Sequence, residues 1–553
     1  MAANSTSAPT RAPVLVVGAG PTGLMLSHWL VKYGVPHRIV DKNSGAGQTS
    51  RAIVMHARTL EFYRMLVLAE EVIALGTRVE GLTVLHSGQE QANIRVRAAG
   101  VGMSEYPFVL SVTQDEHEEL LERMLIKRGQ HIERGLEVVG VSAPGVGSDG
   151  DVTVTLRAVD SGKEETMTAS YVIGCDGAHS GVRHATGITM EGGTYARSFF
   201  VADVFYSGDM QTQGRLNLCM SRNEFLVLMP LPHKTNRARI IGFVPEDKED
   251  PATKISFEDC RPAVFKCAPN ISIDDVRWFA RYKVHHRTAA HFHHGPRVFL
   301  CGDAAHLHSP LGGQGMNTGL GDATNLAWKL ATAYHQTASS PSDKSNAADL
   351  LATYEAERRP FALQLVQSTD TVFQLIIKQN LVGWLLRNVF MPYIVPFAAS
   401  FLNIAPIMFK TISQTGIEYG KSPMSRSADA TLAGHRLPWV ERAGGAAGEV
   451  DNHAVLDASG WQAHVWGEVS EELEQALCRR KIEVKKFPWK AEAKKKGFVE
   501  DAVYLVRPDG YIGLVLGQGK GKEAEKTLLL EEYAEKWGAG QLTTICFPSL
   551  SKS

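Results

Sequence analysis

The chain has 553 residues, of which 58 are Lys or Arg and 59 are Asp or Glu, so its formal net charge at pH 7 is −1. A length of this order predicts about two to four domains, with enough core to enclose a large ligand. The balanced charge excludes the basic surface that a nucleic acid or an anionic membrane requires in its partner.

The cysteines and the apolar segments bear on the compartment. Seven cysteines without a CxxC pair predict free thiols in a reducing compartment, and therefore a cytoplasmic protein. The polar segment Met1–Pro13 does not have the pattern of a signal peptide. Between Val372 and Phe409 the chain is strongly apolar, but Lys378, Arg387 and two prolines interrupt it before it reaches the roughly 20 residues that span a membrane. Buried or inter-domain helices are expected there.

The first motif directly follows a predicted strand at residues 12–17. Gly18, Gly20 and Gly23 form the pattern GxGxxG at the start of a predicted helix. A second predicted strand ends at Asp41, close to the offset of about 20 residues at which an acidic side chain meets a ribose in dinucleotide-binding folds. This unit predicts a dinucleotide site without distinguishing NAD from FAD, and the alternative is a glycine-rich turn that binds nothing.

Further polar residues stand at predicted helix starts. Arg51 precedes one helix and could meet a phosphate group, although a solvated surface position explains it equally well. Gln114 opens an amphipathic helix that extends to Arg128. After a predicted hairpin, Asp176 and Gly177 lead into another helix start that carries Arg183, a pattern that also fits a capped turn.

Short β-rich segments follow at hairpin spacing. They lie at residues 199–205, 215–219, 225–230 and 239–244. This spacing predicts a mostly antiparallel sheet inserted between the elements of the dinucleotide-binding unit. Such a sheet could cover a flavin and form a pocket.

The segment from Gly302 to Asn317 is the most informative of the chain. It follows the apolar strand 298–300, and its Gly302-Asp303 pair combines close backbone approach with a carboxylate that can accept hydrogen bonds from ribityl hydroxyls. The amides that open the predicted helix at Met316 can stabilise negative charge on a ligand. The segment predicts a flavin site, and the alternative is a tight strand-to-helix turn of an α/β protein.

The C-terminal segment follows a boundary rich in Ser, Ala and Gly at residues 422–447. Strand, helix and hairpin signals, including the turn Pro508-Asp509-Gly510, predict a separate small α/β domain.

The three motifs in this order, at residues 18–23, 175–183 and 302–317, resemble the single-component FAD-dependent aromatic hydroxylases. These are the class A flavoprotein monooxygenases of the para-hydroxybenzoate hydroxylase and phenol hydroxylase superfamily. The resemblance covers nearly the whole chain and implies an α/β fold, with a Rossmann-like FAD-binding domain, an inserted mostly antiparallel substrate sheet and a C-terminal thioredoxin-like domain. The implied boundaries are 1–187 with 285–375 for FAD, 188–284 for the substrate sheet, 376–425 for a helical connection and 426–553 for the thioredoxin-like domain. Because that domain has no CxxC pair, we expect it to support packing or a dimer rather than redox chemistry.

The resemblance also implies which residues bind FAD. Gly18, Gly20 and Gly23 would lie at the pyrophosphate, and Asp41 followed by Lys42 would lie at the adenosine ribose. The other implied cofactor contacts are Arg51, Gln114, Asp303, Pro310, Gly313, Gly315, Met316 and Asn317. Asp176 and Arg183 would couple FAD to the reduced nicotinamide.

The implied activity is hydroxylation of a phenolic or polyketide-type aromatic substrate, with NADPH or NADH as a transient reductant and O2 as the oxidant through a C4a-hydroperoxyflavin. Baeyer-Villiger, epoxidising or dearomatising reactions of the same fold are close alternatives, and a non-catalytic flavin-binding protein is a distant one.

The substrate residues are less clearly indicated. Tyr282 lies before the flavin strand at a spacing similar to that of an active-site tyrosine in phenol hydroxylases, and the alternative is a tyrosine packed on the sheet. Arg215 and His233 could meet an acidic or phenolic ligand. Phenol hydroxylases carry an aspartate near the position of Ile53, so a simple phenol is not the expected substrate.

The expected partners are a small aromatic substrate, O2 and NAD(P)H, with neither nucleic acid nor membrane, and a homodimer is compatible with the resemblance. The histidines at 285–294 do not have the spacing of a zinc site, so no metal is expected.

Overall fold

The computed structural model describes residues 11–47, 52–144, 150–208, 214–221, 224–232, 236–250, 252–309, 311–336, 343–377, 384–385, 389–390, 394, 405–427, 432–443, 450–517 and 522–542. Its architecture is mixed α/β, which confirms the predicted fold class.

A six-stranded sheet forms the first layer. Its strands, in spatial order, are His293–His294, Val298–Leu300, Tyr171–Gly174, Val14–Val17, His37–Asp41 and Ile132–Arg134. All neighbours pair in parallel except the first two. The strand Val14–Val17 is buried along its whole length, as expected for a strand that is covered on both faces.

Helices cover this sheet. They are Pro21–Lys32, Ala57–Met65, Ala69–Leu75, Gln114–Lys127, Gly181–Ala185, Gly315–Gln336 and Asp343–Ile377. Pro21 occupies the first turn of its helix, where its missing N–H has no cost. Two small antiparallel sheets flank the layer. One contains Leu136–Ser142, Val152–Ala158 and Glu164–Ala169, and the other contains Val54–Met55, Thr77–Val79 and Val109–Ser111.

An eight-stranded sheet lies against this layer. Its strands, in spatial order, are His306–Leu307, Ile271–Ala289, Met190–Gly208, Arg237–Phe243, Phe225–Pro230, Arg215–Met220, Gly81–His86 and Gln89–Arg95. Side chains of alternating residues, such as Phe200 and Ile240, pack with the helix Phe257–Cys267 on one face, so the other face is available to a ligand.

The two outer strands of this sheet come from an unexpected part of the chain. Residues 81–95 belong to the predicted FAD-binding segment 1–187, outside the predicted 188–284 sheet. In the structure, Gly81–His86 pairs in parallel with Arg215–Met220. A parallel pair needs a long crossover rather than a hairpin turn, so hairpin spacing did not reveal this pairing.

The C-terminal residues form a five-stranded sheet. Its strands, in spatial order, are Arg426–Ser427, Ile512–Leu516, Val503–Val506, Gln462–Trp466 and Glu483–Phe487, and its helices are Glu471–Arg479, Ala491–Lys495 and Glu523–Trp537. The order strand, helix, strand, helix, hairpin, helix, with one antiparallel strand beside the first, is that of the thioredoxin fold. The remaining described helices include Val96–Gly100 and Ala405–Ile412.

Candidate active site

A cavity of about 870 Å³ lies between the carboxyl ends of the six-stranded sheet and one face of the eight-stranded sheet. Carboxyl ends of parallel strands are the usual ligand-binding edge of such sheets. The cavity brings together distant parts of the chain, such as Gly18 and Met316, which are almost 300 positions apart. The predicted site residues on its wall are Gly18, Gly20, Asp41, Lys42, Gln114, Asp176, Tyr282, Asp303, Gly313, Gly315 and Met316.

The first glycine loop is shaped for close approach of a ligand. Gly18 has φ +102°, and a Cβ atom there would lie 2.4 Å from the carbonyl oxygen of Cys175. At Gly20, by contrast, the nearest atom to an added Cβ would be Glu118 Oε1 at 4.0 Å. The backbone at Gly20 therefore faces open space at the start of the helix Pro21–Lys32, where amides favour an anionic group.

Acidic groups surround the far end of this loop. Asp41 accepts hydrogen bonds from the amides of Ala19 at 2.6 Å and Asn43 at 2.8 Å. Glu118 accepts hydrogen bonds from Gln114 Nε2 at 2.8 Å and from the Gly47 amide at 3.0 Å, and burial raises its pKa. Glu118 is not among the residues predicted from the sequence, although it lies one helical turn after Gln114 and therefore on the same face.

The segment after the strand Val298–Leu300 is held by a buried carboxylate. Asp322 accepts hydrogen bonds from the Gly302 amide at 3.1 Å and from His306 Nε2 at 2.6 Å. Arg358 Nε donates to the other oxygen of Asp322 at 2.6 Å, and the Asp322 and Arg358 side chains are each 1% exposed. The positive charge of Arg358 and the bond from His306 hold the pKa of Asp322 below its ordinary value, although burial opposes this. Sequence reasoning identified neither Asp322 nor Arg358.

Two histidines of the cavity wall, the buried His56 and the half-buried His308, present hydrogen-bond acceptors. His308 Nδ1 donates to the Ser309 carbonyl at 3.0 Å, and His56 Nε2 donates to the Gly312 carbonyl at 2.8 Å. Burial lowers the pKa of each imidazole to about 4, so both rings are neutral at pH 7. Their other ring nitrogens are then acceptors, and these have no hydrogen-bond partner among the described residues. A bound ligand with N–H or O–H groups could satisfy them.

The Asp176-Gly177 turn lies beside the same cavity. One carboxylate oxygen of Asp176 accepts from the Val182 amide at 3.2 Å, while the other is buried and has no partner in the described part of the chain. Burial raises the pKa of this carboxyl group. Arg183 donates to the carbonyls of Ala304 at 2.9 Å and Ala178 at 2.8 Å, so it joins the Asp176 turn to the segment that follows Gly302.

Several predicted residues do not line the cavity. Arg183 and Gly23 lie behind the wall, and Asn317 is fully buried. Asn317 donates to the carbonyls of Val54 and Gly313, each at 2.9 Å, and accepts from the His56 amide at 2.9 Å. Its side chain therefore positions the wall instead of meeting a ligand directly.

Arg215 also lies away from the cavity. Its neighbours Leu216 and Leu218 line the wall, and alternation along a strand turns Arg215 to the opposite face. There it donates to Thr83 Oγ1 at 2.8 Å. Arg51, Pro310 and His233 fall outside the described residues.

The part of the cavity along the eight-stranded sheet is apolar. Tyr282 lies on this wall, and its ring stacks on Phe199 with centroids 5.7 Å apart. Ile53 is buried on the wall as well. The other apolar wall residues include Leu82, Phe108, Leu216, Leu218, Phe225, Val227, Met229, Ile241, Phe243, Met408, Phe409 and Ile412.

The polar end fits the cofactor that the motifs predict. It combines two helix N-termini, an open backbone position at Gly20, an unpartnered buried oxygen on Asp176 and two imidazole acceptors. Phosphates, ribityl hydroxyls and a flavin ring edge present the complementary groups. FAD therefore fits the residues that are present.

Two further features of the described residues concern membranes and metal ions. None of their helices is long and apolar enough to cross a membrane. Within the same residues, no group of three or more His, Cys, Asp or Glu side chains is arranged to hold a metal ion.

Comparison with known proteins gives concordant findings. The model of a family described as an FAD binding domain matches residues 11–369. The chain is 31% identical over 432 residues to the 6-methylpretetramide 4-monooxygenase of Streptomyces rimosus. The aligned region covers 76% of this chain and 72% of that protein. It is 32% identical over 384 residues to the pentachlorophenol 4-monooxygenase of Sphingobium chlorophenolicum. This aligned region covers 68% of this chain and 66% of that protein.

Solved structures show the same architecture. The OxyS anhydrotetracycline hydroxylase from Streptomyces rimosus matches with a TM-score of 0.70 and 26% identity, covering 96% of this chain and 99% of that one. Aklavinone-11 hydroxylase in complex with FAD and aklavinone matches with a TM-score of 0.77 and 21% identity, covering 96% and 100% of the two chains.

Proposed function

We propose that this chain, which belongs to the FAD binding domain family and is an FAD-dependent monooxygenase of the aromatic hydroxylase type, hydroxylates an extended, largely apolar phenolic substrate of the polyketide type. NADPH or NADH is its reductant and O2 its oxidant.

The apolar end of the cavity carries this proposal. Aromatic and aliphatic side chains from most strands of the eight-stranded sheet line it, together with residues of the helix Ala405–Ile412. Burial of apolar surface contributes about 25 cal/mol per Å² to binding a ligand that fits, so such a wall favours a large hydrophobic ring system. The 6-methylpretetramide, 12-dehydrotetracycline and anhydrotetracycline monooxygenases among the relatives are named for polycyclic substrates.

Ile53 also supports a substrate larger than phenol. Its side chain is 4% exposed and lies on the cavity wall. An aliphatic group cannot accept a hydrogen bond from a phenolic hydroxyl or stabilise a charge. Recognition at this position depends on contact area instead.

When bound, FAD supplies the reaction of its reduced ring with O2 and the transfer of one oxygen atom to an electron-rich aromatic carbon. The chain's own residues bind the cofactor through the backbone at Gly18–Gly20 and at Gly313–Met316, and through Asp41 and Asp303. The apolar wall excludes water from the reacting groups. We assign Tyr282 the role of orienting the substrate's phenolic oxygen, because it carries a hydroxyl on a wall that is otherwise mostly apolar.

The neutral imidazoles of His56 and His308 also contribute to ligand binding. His308 Nε2 and His56 Nδ1 can accept a hydrogen bond from an N–H group of the flavin ring edge or from the substrate hydroxyl. The resemblance assigns Asp176 and Arg183 to the coupling of FAD with the reduced nicotinamide, and the hydrogen bonds from Arg183 to the carbonyls of Ala304 and Ala178 support this role because they join the two cofactor segments.

A substrate panel tests the proposal. The FAD-loaded protein is incubated with NADPH or NADH and with tetracyclic phenols, simple phenols and hydroxybenzoates, and reductant oxidation and product mass are measured under 18O2. We expect tetracyclic phenols to accelerate reductant oxidation and to gain one labelled oxygen atom. Coupled turnover with simple phenols or hydroxybenzoates alone would contradict the proposed substrate class.

The products also separate hydroxylation from its alternatives. A ring-expanded lactone indicates Baeyer-Villiger insertion, an epoxide or a dearomatised ketone indicates the other reactions, and a hydroxylated aromatic ring supports the proposal. Homodimer formation and residence in the cytoplasm stay predictions from the sequence, and size-exclusion chromatography with light scattering measures the first.

A further inference from the structure

A turn of the thioredoxin-like domain enters the core of the FAD-binding domain. Arg507 and Asp509 belong to the turn between the strands Val503–Val506 and Ile512–Leu516, and both side chains are at most 1% exposed. Arg507 donates to both carboxylate oxygens of Glu357, at 2.7 and 2.9 Å. It also donates to both oxygens of Asp509, at 3.0 and 2.5 Å.

The same turn also contacts a second helix, Gly315–Gln336, through a hydrogen bond. Asp509 accepts a hydrogen bond from Trp328 Nε1 at 3.0 Å, and Glu357 accepts one from Lys329 Nζ at 2.7 Å. Trp328 and Lys329 lie in the helix Gly315–Gln336, whose N-terminal residues line the cavity. Removing one partner of such a buried network leaves an uncompensated charge, so the two helices are strongly constrained relative to the turn.

The neighbour of Glu357 holds the flavin-facing segment. Arg358 donates to Asp322 at 2.6 Å and to the Thr318 carbonyl at 3.1 Å, and Asp322 in turn binds the Gly302 amide and His306. Arg358 Nη1 also donates to Tyr419 Oη at 2.9 Å. The Tyr419 ring lies 5.4 Å from the guanidinium carbon of Arg507, which gives a second route from the turn to Arg358.

From these contacts we propose that Arg507 and Asp509 are positioning residues for the FAD site. The docked turn holds Glu357 and Tyr419 in position, and these two residues fix the position of Arg358. Arg358 and Asp322 then hold the segment from Gly302 to His306 in its position beside the cofactor. The thioredoxin-like domain thus completes the cofactor site through packing and charge, without a thiol. The proposal rests on FAD binding and is independent of the proposed substrate class.

A second buried pair across the same interface provides a matched control. Arg436 donates to both oxygens of Glu61, at 2.9 and 2.6 Å, and these side chains are 7% and 5% exposed. Within the described part of the chain, neither Arg436 nor Glu61 has a hydrogen bond with residues 302–322. Glu61 also accepts a hydrogen bond from Arg58 at 2.8 Å, and Arg58 donates to the Asp509 carbonyl at 2.6 Å. Arg436→Met keeps both of these bonds, so it should weaken the docking of the domain while the turn stays joined to Arg58.

The test compares Arg507→Met with Arg436→Met in the full-length protein. Apoprotein of each variant is titrated with FAD, and the visible circular dichroism of the bound flavin is recorded at temperatures where both variants are equally folded. We expect both variants to unfold at lower urea concentrations. Residues that hold direct ligands in place change affinity by about 10–100-fold in metal sites, and we expect a shift of that size in the FAD dissociation constant for Arg507→Met alone, with a changed flavin spectrum. Arg507→Lys should restore part of the affinity.

Equal FAD affinity and equal spectra in the two methionine variants would overturn the proposal. If Arg507→Met does not fold, Tyr419→Phe and Tyr511→Phe decide the question. Tyr419→Phe removes the hydroxyl that accepts a hydrogen bond from Arg358 Nη1 but keeps the ring. Tyr511→Phe removes the hydroxyl of the neighbouring ring, whose centroid is 4.3 Å from that of Tyr419. Weaker FAD binding in the first variant alone supports the proposal, and equal binding in both contradicts it. Because no substrate is present in these titrations, a wrong substrate assignment cannot produce either result.

Discussion

Gly23 packs directly on the backbone of Gly18, because a Cβ atom at position 23 would lie 1.9 Å from the Gly18 carbonyl oxygen. The helix Pro21–Lys32 therefore approaches its preceding strand as closely as the backbone allows. Gly20, between them, has open space instead. Gly18 and Gly23 thus allow close packing of the backbone, whereas Gly20 leaves space for a ligand.

This difference predicts opposite outcomes for two alanine substitutions. Gly23→Ala forces the helix away from the strand, and we expect it to destabilise the protein by about 1–3 kcal/mol through overpacking. Gly20→Ala should leave the free energy of unfolding of the apoprotein nearly unchanged but weaken FAD binding. Urea unfolding of apoprotein and FAD titration measure the two effects. A Gly20→Ala protein with unchanged FAD affinity would contradict the placement of the cofactor at this loop.

Asp303 provides a second test of the cofactor site. It lies on the cavity wall at the end of the strand Val298–Leu300 and is exposed to the cavity. We expect Asp303→Ala to lose FAD or activity because the variant lacks a carboxylate acceptor for ribityl hydroxyls. The flavin content of the purified protein, from its absorbance, measures the effect. Full flavin occupancy with full turnover would count against the role assigned to Asp303.

Asp322 should matter for both folding and cofactor binding. Asp322→Asn leaves Arg358 buried with a neutral partner, and loss of one member of a buried ion pair costs about 3–5 kcal/mol. We expect a lower urea midpoint together with weaker FAD binding. Asp349→Asn, at an exposed position of the helix Asp343–Ile377, is the control and should change neither.

Tyr282→Phe tests the substrate role of the hydroxyl. The phenylalanine ring keeps its contact with Phe199, so we expect the free energy of unfolding to change by no more than about 1 kcal/mol. Product yield per NAD(P)H consumed should fall, and kcat should fall about 100-fold if the hydroxyl takes part in proton transfer. Tyr106→Phe, at a buried tyrosine that is not on the cavity wall, is the control. Unchanged coupling and unchanged kcat would show that Tyr282 is a packing residue.

Buried histidines predict a loss of stability in mild acid. Burial lowers the pKa of His37 and His117 to about 4 in the folded protein, against an unfolded value near 6.5. Between pH 6.5 and 4 the unfolded chain therefore binds more protons than the folded one, so the stabilisation present above pH 6.5 is lost as the pH falls. Each unit of pKa difference corresponds to about 1.4 kcal/mol.

Urea midpoints measured from pH 7.5 to pH 4.5 check this dependence. His117 Nε2 accepts a hydrogen bond from Tyr63 Oη at 2.7 Å, which a glutamine carbonyl can also accept, so His117→Gln should make the pH dependence shallower. His131→Gln, at an exposed position, should leave it unchanged. Parallel curves for His117→Gln and the unaltered protein would contradict the assignment.

The cavity was largely predictable because its walls lie at strand ends. Gly18, Asp176 and Asp303 each follow a short apolar run, and parallel strands of one sheet bring their carboxyl ends to the same edge. Local patterns were therefore sufficient to bring three distant motifs to one cavity. The resemblance to aromatic hydroxylases added the order of the motifs.

Long-range side-chain contacts were not predictable in the same way. Asp322 lies inside a helix and Arg358 inside another, and no local pattern indicates that each pairs with the other. The side chain of Asn317 was expected near the flavin, but its hydrogen bonds join three wall residues, Gly313, Val54 and His56, to one another. The orientation of Arg215 follows from strand register, which hairpin spacing does not determine.

The parallel pairing of Gly81–His86 with Arg215–Met220 makes the eight-stranded sheet a composite of two separate stretches of chain. Leu82 and Ile94 reach the cavity from the first stretch, and Leu216 and Leu218 from the second. A chimaera that exchanges only residues 188–284 between two hydroxylases would combine a foreign sheet with native outer strands. Both stretches must be transplanted together for such an exchange to transfer the substrate preference of the donor enzyme.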